Sequence, residues 1–519
     1  MKFTPLIEID TKIDASRECY FNKQKQFAVS GNPNKVDLDV RLLNLKKLYY
    51  AIKDHETEIL NALFQDFHRS KQESLSFEVI KLLNDILHII KNLKKWTRSQ
   101  KISDFAPPYI FGKIHVDRIS LGSVLVISPF NFPVLLALTP VAYAIAAGNT
   151  VILKPSELTS ACAKTIEHIV ESAGFSDGYI QIVQGGIPET TKLLKSGKFD
   201  KIFYTGSPAV GSIVAQEAAK SLTPCVLELG GKSPAFVTAN LNRSHLETAL
   251  KRIFFSAFGN SGQICVSPDY MLVHESIFEE VLVICKRLLV EFWPDLNKDT
   301  EYTHMIHEAA FKKAEMKLNI TKGIKVSAVP LSKTSDSLCI PPTIVYDIDW
   351  DDPLMVEENF TAILPIIKFN DLDDTLDKII KLHDTPLVQY IFSDDKHEIN
   401  HILSRIRSGD CIIGDTMIHV GIADVPFGGI GQSGYGSHGG KWGFDAFTHE
   451  RTVLNQPFWM DFILSMRYPP YTNTKTKIVQ LATEEKPWFN RYGDDNLISH
   501  IPVVSAISSQ FSKLLGWGN

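Results

Sequence analysis

The chain of 519 residues lacks the sequence features of nucleic-acid-binding, repeat and secreted proteins. It has no long basic run, and 54 Lys and Arg against 59 Asp and Glu give a net charge of −5, so nucleic acid is not expected as a partner. Internal repeats and low-complexity tracts are also missing. The opening residues, MKFTPLIEID, interrupt any apolar run with a Pro and acids, which predicts no secretory signal.

Cysteine is scarce and unpaired in the sequence. The seven cysteines are odd in number and scattered, with no Cys-x-x-Cys pair. This pattern argues against a disulfide framework and a thiolate zinc site, and it favours a reducing, intracellular compartment. One thiol is therefore free to be reactive, and its context has to identify it.

The composition that remains is that of an ordinary globular protein, with 44% hydrophobic and 22% charged residues. A chain of this length predicts roughly two to four domains. Apolar periodicity predicts two long helices between about 36 and 103, and two short strands at 113–119 and 123–128.

Strands and helices then alternate along the chain. Short apolar runs at 124–127, 150–153, 179–183, 201–204 and 225–229 are separated by helix-length segments. Repeated strand-helix-strand units predict an α/β fold with a parallel sheet covered on both faces, and a nucleotide at the carboxyl ends of its strands. A second unit starts near Gly230, with a capping box at Ser244 and Glu247 opening a helix that runs to Gly259.

The segment 258–265, FGNSGQIC, places Cys265 in the loop after that helix. Its two glycines let backbone amides approach a ligand, and a thiol there can attack a carbonyl while its own N–H holds the resulting oxyanion. Taken without context, a lone Cys is more often a buried apolar residue. The neighbouring motifs have to decide between these readings.

Two further polar residues interrupt apolar strand ends. Glu228 lies in 225–234, CVLELGGKSP, where burial would raise its pKa and suit it as a general base; the alternative is a structural salt-bridge partner. Asn131 lies in 128–133, SPFNFP, where its amide can donate to an oxyanion; alone it would more often cap a helix.

The expected nucleotide edge carries its own candidates. Strand 150–153 is followed by Lys154 and Glu157, and a carboxylate there accepts from ribose hydroxyls and repels a 2′-phosphate, which favours NAD over NADP. Residues 204–211, YTGSPAVG, join a strand to a helix, with Ser207 as predicted N-cap and Pro208 in the first helical position. This turn is typical of phosphate binding in outline, although it is not Gly-x-Gly-x-x-Gly.

Together these segments resemble the aldehyde dehydrogenase superfamily, whose pattern covers about residues 36–470. The resemblance implies Cys265 as nucleophile, Glu228 as base, and Asn131 with the Cys265 amide as oxyanion hole. It implies that an NAD is held by residues named in the motifs above, namely Lys154 and Glu157 at the adenosine ribose and Gly206, Ser207 and Gly211 at the pyrophosphate.

Residues 356–360, VEENF, resemble the family segment that contacts the nicotinamide ribose, which assigns Glu358 and Phe360 to it. The next residues are Thr361 and Ala362, where the family usually has Gly-Pro. Residues 426–436, 444–451 and 467–470 are similar to the class that oxidises long-chain and aromatic aldehydes, and within it to fungal fatty aldehyde (hexadecenal) dehydrogenases. Fatty aldehydes from sphingolipid degradation are the implied substrates, with aromatic aldehydes such as 4-hydroxybenzaldehyde as the alternative.

The same resemblance sets expectations for domains and assembly. We expect a Rossmann-type NAD-binding domain of residues 1–104 and 121–229, a second α/β catalytic domain of 230–415, and a small β oligomerisation arm of 105–120 and 416–470 in a homodimer. Residues 471–519 form a tail in which apolar residues from 503 to 515 recur at helical spacing. This predicts an amphipathic helix that binds a membrane or lipid-droplet surface, covers the substrate tunnel, or packs on protein. The expected location is intracellular and cytosol-facing, on mitochondrial outer membrane, endoplasmic reticulum or lipid droplets.

A competing motif points to another class of enzyme. Residues 397–401, HEINH, match the zinc peptidase pattern with two histidines one helical turn apart. Their flanks, SDDK and SRIR, predict a polar surface helix rather than the buried helix of a catalytic zinc site. A catalytically inactive scaffold homologue is a third reading, but such a protein would be expected to lose Cys265 or Glu228, and both are present. We therefore expect no metal site.

Overall fold

The computed structural model describes residues 1–103, 109, 111–296, 301–334, 337–484 and 487–494. It divides into two compact units. The first comprises Met1–Arg98 and Arg118–Glu450, and the second takes in the described residues of 99–117 and 451–519. The described strands are β1 Gln100–Ile102, β2 Lys113–Ser120, β3 Ser123–Ile127, β4 Thr150–Lys154, β5 Ile180–Ile182, β6 Lys201–Gly206, β7 Cys225–Leu229, β8 Pro234–Val237, β9 Tyr270–His274, β10 Ile324–Ser327, β11 Thr343–Tyr346, β12 Ile363–Phe369, β13 Val388–Phe392, β14 Asp410–Ile413, β15 Gly434–Tyr435 and β16 Thr448–Asn455.

Helices alternate with these strands through most of the chain. The described α-helices are α1 Leu6–Ala28, α2 Pro33–Asp54, α3 Glu56–Phe67, α4 Lys71–Ser74, α5 Ile80–Trp96, α6 Leu135–Ala147, α7 Ser160–Ser172, α8 Ile187–Lys195, α9 Pro208–Ala219, α10 Arg243–Phe258, α11 Phe278–Phe292, α12 Glu308–Ile320, α13 Leu372–Leu382, α14 Lys396–Arg405, α15 Gly440–Ala446, α16 Asp461–Leu464 and α17 Asn473–Thr483. Within the described residues, no helix is both long and apolar enough to cross a membrane.

A six-stranded sheet follows the order β15-β7-β6-β3-β4-β5, and its strands β3 to β7 pair in parallel. Alternate residues of β3 enter different cores: Val124 and Val126 pack with the helices on one face, while Leu125 and Ile127 pack with α1 and α9 on the other. Since side chains alternate across a strand, covering both faces requires the continuous apolar runs seen in the sequence. The predicted α/β class with a doubly covered parallel sheet is confirmed.

A second sheet of seven strands follows the order β10-β11-β12-β9-β8-β13-β14. It is parallel except for β10, which pairs antiparallel with β11. Strand β8 again feeds two cores, with Ala235 and Val237 on one face and Phe236 on the other. A separate three-stranded sheet has the order β1-β2-β16.

The amino-terminal region differs from the prediction of two long helices. The structure has α2 and α3, the short α4, a π turn at Leu75–Val79 and then α5, and a further helix, α1, precedes them. The break after α3 has a local cause, because His68 adopts a left-handed conformation with φ of 57° that ends the helix. The sequence does not predict helix α1, because its apolar periodicity is weak. Only a narrow face that includes Ile9 and Ile13 is buried, while the apolar side chain of Ile7 is exposed.

The predicted capping box at Ser244 and Glu247 is wrong by two residues. The N-cap of α10 is Asn242, whose side-chain oxygen accepts from the Ser244 amide at 2.9 Å. Asn is as good an N-cap as Ser, so Asn242 can take this position two residues earlier. The predicted end at Gly259 agrees with the structure, where α10 stops at Phe258. The amphipathic helix predicted between 503 and 515 lies outside the described residues.

Candidate active site

A cavity of about 1590 Å³ in the first unit collects most of the residues that the sequence singled out. Strand ends of both large sheets open onto it. Its lining includes Asn131, Lys154, Glu157, Gly206, Ser207, Glu228, Cys265, Glu358 and Phe360. Gly211 is not among the lining residues. A Cβ at Gly211 would meet Leu229 Cδ2 at 2.6 Å, so this glycine lets α9 pack closely on β7 instead.

The nucleophile loop has an unusual backbone. Asn260 and Ser261, between α10 and Cys265, have φ of 49° and 55°, and Gly262 has φ of 71°. A Cβ at Gly262 would lie 2.2 Å from the carbonyl oxygen of Thr361, so only glycine fits there. Non-glycine residues held in this region store strain that surrounding contacts must over-determine. These backbone angles therefore fix the course of the loop that carries Cys265.

Buried polar contacts hold this loop. The Arg69 guanidinium, with a fully buried side chain, donates to Asn260 Oδ1 from Nε at 3.0 Å and Nη2 at 2.6 Å, and to the carbonyl oxygen of Asn131 at 2.7 Å. It also forms an ion pair with the buried Glu78. A buried charge is tolerated only when it is paired and hydrogen-bonded, and both conditions are met here.

Glu78 ties the same network to α6. Its Oε2 accepts from the backbone amides of Val134 and Leu135, at 2.8 and 3.0 Å. The pKa of Glu78 is raised by burial, with Arg69 and these amides opposing the shift. Sequence reasoning missed both Arg69 and Glu78. The one signal available was a charged residue at a position where the neighbouring periodicity is apolar.

Asn131 faces the nucleophile loop rather than capping a helix. Its Nδ2 donates to the carbonyl oxygen of Gln263 at 3.1 Å, and Asn260 Nδ2 bridges the carbonyls of Asn131 and Gln263 at 3.1 and 3.0 Å. Asn131 is 3% exposed and lines the cavity. One N–H of the Asn131 amide is committed to Gln263, which leaves its second N–H as a donor.

Glu228 is the fourth residue of β7 and is 4% exposed. Both of its carboxylate oxygens are buried without a hydrogen-bond partner among the described residues. Burial raises its pKa well above the usual range, and the nearby charge of Asp410 raises it further. The salt-bridge alternative for Glu228 thus finds no cation. A partnerless carboxylate facing a cavity is the arrangement expected of a general base.

The Cys265 side chain is half-buried, and its surroundings raise the pKa of the thiol. Burial raises its pKa to about 12, the charges of Glu358 and Glu228 add to this, and the backbone amides of Cys265 and Val266 oppose it. A thiol in this state is protonated at neutral pH, so attack on a carbonyl requires that its proton be removed. The buried-Cys alternative does not hold, because this thiol borders the cavity.

The other part of the cavity lies against α9. Ser207 caps this helix, its Oγ accepting from the Val210 amide at 3.4 Å, and Pro208 is the first helical residue, as predicted. The helix N-terminus and Gly206 line the cavity, which makes backbone amides and a positive dipole end available to an anion. Lys154 and Glu157 form an ion pair at the same edge, with Glu157 32% exposed.

Glu358 and Phe360 also line the cavity. A Cβ at Gly230 would meet Glu358 Oε2 at 2.2 Å, so this carboxylate packs directly on the backbone after β7. Burial raises the pKa of Glu358 to about 8. Phe360 has φ of 53° and packs edge-on against Phe130 at 5.9 Å. Both residues therefore border the same space as Glu228.

The HEINH motif is not part of a group of three or more metal-ligating side chains among the described residues. It lies on α14, where Glu398 accepts from Thr238 Oγ1 at 2.6 Å and from Ser393 Oγ, while His401 Nε2 lies 2.7 Å from Asp373 Oδ1. Glu398 and His401 thus have protein partners. Across the described ranges of the chain, no group of three or more His, Cys, Asp or Glu could hold a metal ion.

Comparison with known proteins is decisive for the fold and enzyme class. Residues 23–453 match the model of the aldehyde dehydrogenase family. The chain belongs to this family. It is 58% identical over 498 residues to the fatty aldehyde dehydrogenase HFD1 of Saccharomyces cerevisiae, covering 95% of this chain and 94% of that one.

More distant relatives agree. The dimeric NADP-preferring aldehyde dehydrogenase of Canis lupus familiaris is 36% identical, covering 83% of this chain and 93% of the relative. The substrate-bound structure of AldH from Staphylococcus aureus has a TM-score of 0.81 and 35% identity, over 89% of this chain and 98% of that one. The predicted aldehyde dehydrogenase fold and enzyme class are confirmed.

Proposed function

We propose that this aldehyde dehydrogenase oxidises long-chain fatty aldehydes to carboxylic acids with NAD, through a thioester on Cys265. The observation that carries the proposal is the meeting of three groups in one cavity: the Cys265 thiol, the Asn131 amide and the partnerless Glu228 carboxylate. They correspond to the nucleophile, the oxyanion donor and the base that acyl chemistry requires.

In the proposed cycle, the Cys265 thiolate adds to the aldehyde carbon, and the free N–H of Asn131 with the Cys265 backbone amide holds the oxyanion of the hemithioacetal. When bound, the nicotinamide cofactor serves as hydride acceptor. Glu228 then deprotonates the water that hydrolyses the Cys265 thioester. The Cys265 thiolate leaves, the acid is released, and Glu228 passes its proton to solvent.

The residues present fit a dinucleotide. The uncovered N-terminus of α9, with Gly206 and Ser207, suits a pyrophosphate; Lys154 and Glu157 suit the adenosine ribose; Glu358 and Phe360 suit the nicotinamide ribose and ring. The negative charge of Glu157 favours NAD over NADP. The dog relative is named NADP-preferring, so cofactor preference varies within the family and has to be tested here.

The substrate preference rests on the cavity wall and on one relative. Apolar side chains form much of the cavity wall, including Phe77, Leu135, Leu136, Val420, Ile422 and Phe427. Such a wall gains free energy with each buried methylene, about 0.8 kcal/mol, and therefore favours long chains. The 58% identical yeast protein is named a fatty aldehyde dehydrogenase. Products of sphingolipid degradation such as hexadecenal are suitable substrates.

We further propose the domain roles expected from the sequence. Strands β3 to β7 of the six-stranded sheet belong to the NAD-binding domain of 1–104 and 121–229. The seven-stranded sheet belongs to the catalytic domain of 230–415, and 105–120 with 416–470 serve oligomerisation in a homodimer. The tail from 471 binds a cytosol-facing membrane or lipid-droplet surface through its last residues. The relative from dog supports the dimer, since it is named dimeric.

A substrate panel tests the central proposal. NADH absorbance is followed with hexadecanal, hexadecenal, shorter alkanals and benzaldehyde, with and without a metal chelator. We expect kcat/KM to rise with chain length and to be insensitive to the chelator. Equal efficiency for all chain lengths would contradict the fatty aldehyde assignment, and loss of activity with the chelator would reopen the zinc reading.

A further inference from the structure

The loop that carries Glu358 and Phe360 contains a polar residue with no part in the mechanism above. Asn359 lies between them and makes hydrogen bonds through both its side chain and its backbone amide. Its Oδ1 accepts from Lys317 Nζ of α12 at 3.1 Å. Its Nδ2 donates to the carbonyl oxygen of Leu354, within the same loop, at 3.1 Å. The loop is therefore tied both to itself and to α12.

Asp269 is a second anchor of Asn359. It is buried and directly precedes β9. Its Oδ1 accepts from the backbone amide of Asn359 at 2.7 Å, and Asn359 Nδ2 lies 3.3 Å from both the carbonyl oxygen and Oδ2 of Asp269. The buried Lys232 pairs with the same carboxylate and donates to the carbonyl oxygen of Leu354 at 2.7 Å. One carboxylate at the start of a buried strand thus holds both the loop and a cation that binds the loop.

The Lys317 ammonium contacts the loop at two places. Lys317 is 4% exposed and lines the cavity, and besides Asn359 Oδ1 its Nζ lies 3.4 Å from Glu357 Oε1. A buried cation is tolerated only when it is paired and hydrogen-bonded. Because both of these oxygens belong to the loop, the cation holds residues 357 and 359, on either side of Glu358.

Phe360 shows why the loop needs this support. It has φ of 53°, a left-handed backbone conformation that a bulky side chain rarely adopts and that costs free energy. The hydrogen bonds of Asn359 hold the residue before it, and after it Thr361 Oγ1 donates to the sulfur of Met305 at 3.4 Å. Such strain persists only where the surrounding contacts over-determine the conformation, and it is common at sites that clamp a ligand.

We propose that Asn359 and Lys317 are positioning residues for the nicotinamide end of the cofactor. Their hydrogen bond holds the loop in the conformation in which Glu358 and Phe360 line the cavity and can contact the nicotinamide ribose and ring. The inference rests on the function proposed above and deepens it, since it states what fixes these two contacts. Loss of the hydrogen bond should weaken cofactor binding and slow hydride transfer, but leave the acyl chemistry of the nucleophile and the base intact.

Two variants remove the hydrogen bond from opposite ends. Asn359→Leu is close in shape to the native side chain, and Lys317→Met keeps the length of the side chain without its charge. We expect each variant to raise the dissociation constant of NAD about tenfold, because a hydrogen bond to a charged group contributes about one decade in an equilibrium constant. Calorimetry on the cofactor-free protein measures this constant, and kcat/KM for NAD should fall at least as much. Since both changes remove the same bond, the double variant should lose no more than about twofold beyond the more affected single variant.

A reaction without hydride transfer separates positioning from general damage to the fold. Hydrolysis of 4-nitrophenyl acetate needs a thiol nucleophile and a base but no hydride acceptor, so its rate should stay within about twofold of wild type in both variants. The rate of Cys265 alkylation by iodoacetamide and the unfolding temperature should also stay close to wild type. The matched control is Lys312→Met, an exposed lysine of α12 that pairs with Glu308 and does not line the cavity. This variant should keep the wild-type dissociation constant of NAD.

A Glu358→Ala background distinguishes positioning from direct contact with the cofactor. If Lys317 acts through the loop, Lys317→Met should change the dissociation constant of NAD by no more than about threefold once the Glu358 carboxylate is absent. An effect that remains about tenfold in this background would mean that Lys317 contacts the cofactor itself, and the positioning role would be wrong.

The inference is contradicted if the dissociation constant of NAD stays within about twofold of wild type in both single variants, or if ester hydrolysis falls by the same factor as aldehyde oxidation. Losses that multiply in the double variant would also contradict it, because the two residues would then act separately. Should Asn359→Leu fail to fold, Lys317→Met decides alone. Failure of the proposed function appears in the wild type instead, as absent NAD binding or absent NADH formation.

Discussion

The side-chain nitrogen of Asn131 lies 3.1 Å from the carbonyl oxygen of Gln263, two residues before Cys265. This hydrogen bond joins the proposed oxyanion donor directly to the loop of the nucleophile. Arg69 and Asn260 reinforce the junction from the buried side. The distance between donor and thiol is thus fixed by the protein interior before any substrate arrives, which is the condition under which an oxyanion hole stabilises a transition state.

Asn131→Asp tests this preorganisation. The change keeps the size of the side chain but removes both donors, so we expect kcat to fall about 10²–10³-fold, as on loss of one oxyanion donor elsewhere. The loop should stay in place because Asn260 still bridges it. The rate of Cys265 alkylation by iodoacetamide reports the loop, and a change in that rate as large as the change in kcat would assign Asn131 a structural role only.

Glu228→Gln should separate acylation from hydrolysis. Without a base for the water, we expect a stoichiometric burst of NADH followed by steady-state turnover reduced about 10²–10⁴-fold, measured by stopped-flow absorbance. Full steady-state turnover in this variant would remove Glu228 as the base.

The pH profile gives an independent check of the same residue. Burial raises the pKa of Glu228 above its ordinary value of 4.5, and only the ionised carboxylate accepts a proton. The steady-state rate of the wild type should therefore climb with pH well above the ordinary range of a carboxyl group. The Glu228→Gln variant should lose that limb, whereas retention of the limb would assign it to another group.

Glu157→Gln should shift cofactor choice. The change removes a negative charge that repels a 2′-phosphate and frees Lys154 from its ion pair to attract one. We expect the NADP to NAD ratio of kcat/KM to rise about tenfold, which corresponds to ~1.4 kcal/mol. Glu171→Gln, an exposed residue that does not line the cavity, is the matched control. An unchanged ratio in Glu157→Gln would mean that this carboxylate does not face the adenosine ribose.

The sequence predicted what is local. The strands of the six-stranded sheet, the Ser207 cap and the positions of Cys265 and Glu228 all follow from short patterns. The Arg69–Glu78 pair could not be found in this way, because it depends on side chains that tertiary packing brings together. Gly211 is a further example. The sequence shows that it lies in a turn typical of phosphate binding, but not that its backbone packs against Leu229.

Truncation after Leu497 tests the proposed role of the tail, which lies outside the described residues. Removing the apolar residues up to Trp517 should weaken sedimentation with liposomes and leave activity on short, soluble aldehydes intact. Replacing Leu514, Leu515 and Trp517 with Ser in the full chain should have the same effect. A truncated protein that binds liposomes like the full chain would end the anchor proposal, and lost selectivity for long chains would assign the tail to the substrate tunnel.

Cys265→Ser tests the central claim most directly. A hydroxyl is far less ionised than a thiol at neutral pH, so NADH formation with hexadecanal should fall at least about 10³-fold while NAD binding and the unfolding temperature stay close to wild type. Mass spectrometry of the quenched Glu228→Gln variant should show an acyl adduct on Cys265 that is absent from Cys265→Ser. The account predicts loss of both the NADH and the adduct in Cys265→Ser; activity near wild type, or an acyl group on another residue, would contradict it.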